Sequence, residues 1–138
     1  MERHVKLRVF LVEDYKRLQS LIAELFAHLG PFELVGTVAT EAEALLWLEE
    51  HPQGWDLAVV DLILDQGSGL GVIARCSRTR GPGTAVVVFS SYATPGVRKH
   101  CLKLGADAVF EKNDSAAFID YCMHWSDQRL GPASAPGG

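Results

Sequence analysis

Apolar residues fall into two kinds of pattern along this chain. Unbroken runs occur at Val9-Phe10-Leu11-Val12, at Leu57-Ala58-Val59-Val60 and from Thr84 to Phe89. Runs of this length, rich in β-branched residues, predict strands buried on both faces. Shorter strands are predicted over Phe32–Val38 and Ala108–Glu111, and the first strand extends back to Val5. Between the strands the spacing changes. Leu18, Leu21, Ile22, Leu25, Phe26 and Leu29 recur every three or four positions, which predicts a helix over Arg17–Leu29 with one buried face, stopped by Gly30-Pro31. Thr40 and Glu43 form a capping-box pattern for a second helix, which ends at His51-Pro52. Ser68 is the expected N-cap of a third helix over 69–80 that contains Gly71. Thr94-Pro95 opens a fourth, which closes at Gly105. Asp114 or Ser115 caps a fifth, which carries Phe118, Ile119 and Cys122 to about Trp125.

Five strands alternating with five helices predict an α/β domain, a mostly parallel sheet with helices on both faces. Right-handed crossovers leave few topologies. A flavodoxin-like doubly wound order, 2-1-3-4-5, brings the ends of the first and third strands together. The alternative Rossmann order is disfavoured, because the first turn is Glu13-Asp14-Tyr15-Lys16 and has no glycine-rich phosphate loop. The domain is expected over residues 1–126. From Asp127 the chain turns polar and then rich in Gly, Pro, Ala and Ser, so residues 127–138 are expected to be a disordered tail with no second domain behind them.

Composition narrows the picture further. The 138 residues suffice for one domain with a proper core, and 48% hydrophobic with 22% charged residues is ordinary for a soluble globular protein. A net charge of −4 with no basic run argues against direct DNA or RNA binding. No apolar run approaches membrane-spanning length, and the N-terminus has no signal-peptide pattern. Cys76, Cys101 and Cys122 are odd in number and widely spaced, as expected of buried thiols in a reducing, cytoplasmic compartment. The five histidines lack metal-ligand spacing and read as helix-end or surface residues.

Chemistry gathers at one edge. Strand ends carry Glu13-Asp14, Asp61, Ser90 and Lys112, and the 2-1-3-4-5 order would bring them to one end of the sheet. Three carboxylates within a few ångströms would repel and raise one another's pKa. A hard cation among them relieves this, and oxygen ligands with room for water suit Mg2+. A hydroxyl and a lysine opposite would face an anion, so the set carries the parts for moving a phosphoryl group onto Asp61.

The chain resembles the response-regulator receiver domains (CheY-like) of two-component signalling, over about residues 5–126. The matching segments are Val12-Glu13-Asp14, Val59-Val60-Asp61-Leu62, Gly67-Ser68-Gly69-Leu70, Val88-Phe89-Ser90-Ser91, and Gly105-Ala106-Asp107 leading to Lys112. The strand order 2-1-3-4-5 is implied by this resemblance; the sequence pattern does not fix it. The resemblance further implies that Asp61 is the phosphoacceptor. Asp14 would bind Mg2+ directly, Glu13 would support it through water, and the backbone carbonyl of Ile63 would complete the metal site. Ser90 would hydrogen-bond the phosphoryl group and Lys112 would pair with one of its oxygens. The implied donor is a sensor histidine kinase or a histidine phosphotransfer protein. The implied output is a protein target docking on the face of helix 4, strand 5 and helix 5, with no membrane and no direct DNA contact; a homodimer is left open. The protein would be no enzyme beyond its own phosphorylation and dephosphorylation.

Three positions depart from the family pattern. Asn113 stands where a proline usually follows the lysine, and Asp65 where a proline often follows the acceptor by four residues. Val109 stands where many members carry an aromatic switch residue; Phe110 is adjacent but should face the other side of the strand. Tyr92, two residues past Ser90, is expected near the site entrance. Two rival readings exist. One is a phosphate-insensitive interaction module on the same fold. The other is an aspartyl-nucleophile phosphatase, which needs a second Asp where this chain has Ile63.

Overall fold

A computed structural model describes residues 5–131. Ten elements alternate: β1 Leu7–Val12, α1 Lys16–Leu29, β2 Phe32–Val38, α2 Glu41–Glu50, β3 Leu57–Val60, α3 Gly69–Thr79, β4 Ala85–Ser90, α4 Pro95–Leu104, β5 Ala108–Glu111 and α5 Ser115–Leu130. The strands pair in parallel in the order β2-β1-β3-β4-β5, the expected flavodoxin-like arrangement.

Strand alternation splits the core in two. Phe10, Val12, Ala58, Val60, Val86, Val88 and Val109 face a layer with α2, α3 and α4. Leu7, Val9, Leu11, Leu57, Val59, Val87 and Phe89 face a layer with α1 and α5. Both faces of β3 and β4 are therefore apolar, which is why these strands read as unbroken runs. Each fully buried side chain of this size contributes about 1.5–3 kcal/mol through burial. Aromatic rings fill the α1/α5 layer: Phe118 stacks on Phe89 at 4.3 Å and meets Phe26 edge-on at 6.2 Å. Phe110 lies in the same layer against Tyr121, at 5.6 Å, while Val109 faces α4. The aromatic residue of β5 thus points away from α4, as strand alternation requires.

The helix signals match the observed caps. Thr40 Oγ1 accepts the Glu43 amide, and Glu43 Oε1 accepts from Ala39, one residue before the cap. Ser68 Oγ accepts the Leu70 amide, Thr94 Oγ1 accepts from Val97, and Asp114 Oδ1 accepts from Ala117. Gly105 closes α4 in the left-handed conformation, φ +118°. Cys76, Cys101 and Cys122 are all buried and free.

Two boundaries differ from expectation by two residues or more. β1 begins at Leu7 rather than Val5. The helix expected to stop near Trp125, with a tail from Asp127, continues as α5 to Leu130. A long-range ion pair holds the added turn: Arg129 donates to Asp56 Oδ1 at 3.1 Å and to the Pro82 carbonyl at 3.2 Å. The rest of the expected tail, residues 132–138, lies outside the described residues.

Candidate functional site

Register places the site. Val12 pairs with Val60, so the next residues of those strands, Glu13 and Asp61, emerge side by side, and the Asp61 amide donates to the Val12 carbonyl at 2.9 Å. Ser90 pairs with Glu111, so Lys112 follows one step beyond the rim, and its amide donates to the Ser90 carbonyl at 3.1 Å. Four strand ends thus deliver Glu13, Asp14, Asp61, Ser90 and Lys112 to one edge, as the sequence predicts.

Glu13 and Asp61 are almost fully buried, at 1% and 5% exposed, and Ser90 is at 0%. One carboxylate oxygen from each of Glu13, Asp14 and Asp61 lies within 4.8 Å of the others. Lys112 Nζ sits 3.0 Å from both Glu13 Oε1 and Asp61 Oδ2. Burial pushes the Glu13 carboxyl above its usual range, with the Asp61 charge adding to the rise; the Tyr15 amide and Lys112 offset only part of it. Burial pulls the Lys112 ammonium down, but hydrogen bonds to Asp61 and Glu13 and their charges outweigh it, so its pKa is raised overall. One ammonium thus serves two buried carboxylates beside a third. The set is all oxygen, crowded and over-negative, which fits a hard divalent cation such as Mg2+.

The members differ in how free they are. Glu13 is engaged at both oxygens, Oε1 by Lys112 and Oε2 by the Tyr15 amide at 3.0 Å, which suits support through water. Asp14 is only half-buried; its Oδ2 accepts the Asp65 amide at 2.8 Å. Nothing local in the sequence marks that bond; Asp65 stands out there only as the position where a proline often occurs. A proline, lacking the N–H, could not make it. Ile63 is 59% exposed at the mouth, and its amide reaches Asp61 Oδ1 at 3.4 Å. Gly69 packs so tightly under the site that a β-carbon there would lie 2.1 Å from the Asp61 carbonyl oxygen. Ser90 Oγ accepts the Tyr92 amide at 3.2 Å, and the Tyr92 ring is 58% exposed beside it.

The arrangement defines a doubly wound α/β domain with a carboxylate cluster and a lysine at the C-terminal rim of its sheet. The sequence model of the response regulator receiver domain matches residues 9–120, and the chain belongs to that family. It is thus a CheY-like receiver domain of two-component signalling. Among curated proteins it is similar to the methanogenesis regulatory protein FilR1 of Methanothrix harundinacea, 28% identical over 108 residues. That match covers 78% of this chain but 24% of FilR1, so this chain spans about a quarter of that relative. Solved structures with a similar fold include the receiver domain of NarL from Mycobacterium tuberculosis, at 21% identity and TM-score 0.75, over 92% of this chain and 98% of that one. A chain of the CheX–CheY–BeF3–Mg2+ complex from Borrelia burgdorferi gives 19% identity and TM-score 0.76, over 87% and 89%. The phosphorylated cyanobacterial phytochrome response regulator RcpA gives 26% identity and TM-score 0.72, over 92% and 96%.

Proposed function

We propose that this receiver domain is a phosphorylation switch in which Asp61 accepts a phosphoryl group from a phosphohistidine of a sensor kinase or phosphotransfer protein. The observation that carries the reading is Lys112 Nζ at 3.0 Å from both Glu13 and Asp61, with three carboxylates converging beside it. A carboxylate oxygen of Asp61 forms the new O–P bond as the N–P bond to the donor breaks, and the donor imidazole leaves with the bonding pair and takes up a proton. Asp14, Asp61 and the Ile63 carbonyl would hold Mg2+, with Glu13 acting through water. The bound cation supplies charge neutralisation at the phosphoryl oxygens.

After transfer, Lys112 exchanges a carboxylate oxygen of Asp61 for a phosphoryl oxygen. The Ser90 hydroxyl donates to another. It still accepts from Tyr92, so its movement pulls the β4–α4 loop with it. Output then runs by protein contact through the face of α4, β5 and α5, with no catalysis beyond the domain's own phosphorylation and dephosphorylation. The reducing, cytoplasmic setting of such relays suits three buried thiols. The domain is proposed to occupy the chain through α5.

Amide NMR tests the site. Added Mg2+ with beryllofluoride is expected to shift the Asp61, Ile63, Ser90 and Lys112 amides in the wild type, and to leave Ser90 and Lys112 unmoved in Asp61→Asn. A wild type that shows no shift at millimolar Mg2+ would leave the phosphate-insensitive module as the better account.

A further inference from the structure

We infer that Glu41, in the first turn of α2 and outside the acidic cluster, is a positioning residue for the cation site. It fixes the β3–α3 loop that carries the Ile63 carbonyl. This rests on the reading of the site given above.

Between Asp61 and Gly69 the loop is anchored in the core at Leu62 and Leu64, and the residues around these anchors are open to solvent. Ile63, Asp65, Gln66 and Gly67 are all exposed. The order of this exposed part comes from a tight fold on itself and from bonds to neighbours, among them the Asp65 amide to Asp14 Oδ2. The Gly69 amide donates to the Leu62 carbonyl at 3.0 Å, and Ile63 lies opposite Ser68 in an isolated antiparallel bridge. With Leu62 and Leu64 anchored on either side, the bridge to Ser68 is the remaining restraint on the exposed Ile63. Glu41 Oε1 accepts the Ser68 amide at 2.8 Å, and the Glu41 amide donates to the Gln66 carbonyl at 3.1 Å. One residue thus grips the loop twice, and the bond to Ser68 is charge-assisted.

The chain leaves room for this carboxylate. A β-carbon at Gly67, where φ is +86°, would lie 2.4 Å from Glu41 Cβ; one at Gly71 would lie 2.0 Å from Glu41 Oε2. Gly71 weakens α3 by helix propensity, and the space it vacates is the space Glu41 fills. Without the Glu41 carboxylate the bond to Ser68 is lost while the backbone bond to Gln66 stays, so the part of the loop around Ser68 and Ile63 must be ordered when the cation binds, and that entropy is lost from affinity.

The test is a titration with Mg2+ alone, followed by the Ile63 and Asp61 amide shifts and by tryptophan fluorescence, with melting temperatures alongside. Glu41→Ala is expected to weaken Mg2+ binding about fivefold to tenfold, part of the worth of one charged hydrogen bond, and to lower the melting temperature by no more than a few degrees. Glu41→Gln keeps an acceptor for Ser68 and is expected to hold affinity within about twofold. Gly71→Ala keeps the charge but displaces the carboxylate, so it should weaken binding while favouring the helix. Unchanged affinity in Glu41→Ala overturns the inference and leaves the site reading intact. An equal loss in Glu41→Ala and Glu41→Gln, with none in Gly71→Ala, overturns it in favour of simple charge attraction. A wild type that binds no Mg2+ overturns the site reading and this inference with it.

Discussion

At the residue scale the site is a problem of charge. Glu13 and Asp61 are buried, and Lys112 is the cation that faces both of them. Removing Lys112 leaves two buried carboxylates repelling each other, which costs more than the pair contributes when intact. Lys112→Ala is therefore expected to lose about 1–3 kcal/mol in urea denaturation without Mg2+, and to recover part of this when Mg2+ is added. Asp61→Asn acts in the opposite direction. It removes one negative charge and leaves Lys112 with Glu13, so without Mg2+ it should be at least as stable as the wild type, but gain less from the ion. Thermal melts at several Mg2+ concentrations read both. The acidic residues and the lysine were legible because each lies within two residues of a strand's C-terminal end. The contributions of Asp65 and Glu41 were not, because their bonds run to atoms 51 and 27 positions away and nothing local marks them.

At the element scale, most boundaries follow local rules. Caps at Thr40, Ser68, Thr94 and Asp114 open the helices where the sequence places them. Two features needed tertiary contacts. In β2 the register against β1 slips by one residue, from Val9–Leu34 to Phe10–Gly36. Gly36 there lets the Trp47 ring cover the strand and stack on Phe10 at 4.1 Å. A β-carbon at Gly36 would come within 2.6 Å of that ring, so Gly36→Ala is expected to cost about 1–3 kcal/mol by overpacking, read as a lower denaturation midpoint. The other feature is the last turn of α5, tied to Asp56 through Arg129 from 73 positions away. Burial raises the Asp56 carboxyl, but hydrogen bonds and charge from Arg8, with charge from Arg129, outweigh it and hold the pKa below the ordinary 3.8. A depressed native pKa gives stability that is present above 3.8 and is lost as pH falls through the lower native value. Asp56→Asn should therefore destabilise by about 1–3 kcal/mol at neutral pH, and the gap to wild type should close in melts taken below pH 3.8.

At the scale of the whole molecule, the sheet divides the work. Its C-terminal rim carries the charged site, its opposite edge carries the Asp56 ion pairs, and two apolar layers hold the edges apart. Unbroken apolar runs and strand alternation made this architecture legible, including the opposite faces of Val109 and Phe110. The strand order was legible only through family resemblance, since periodicity does not say which strands are neighbours. With Val109 against the α4 layer, no ring of β5 faces α4. Under the proposed switch, a response at the α4–β5–α5 face would start from Ser90 with the Tyr92 loop and from Lys112, with no β5 ring to relay it. The proposed switch depends on Asp61 taking the phosphoryl group. Intact-protein mass spectrometry after incubation with acetyl phosphate and Mg2+ tests it most directly, with a phosphorylated histidine kinase as a second donor. A single phosphoryl adduct is expected on the wild type and none on Asp61→Asn. No adduct on folded wild type from either donor, or an equal adduct on Asp61→Asn, would contradict it.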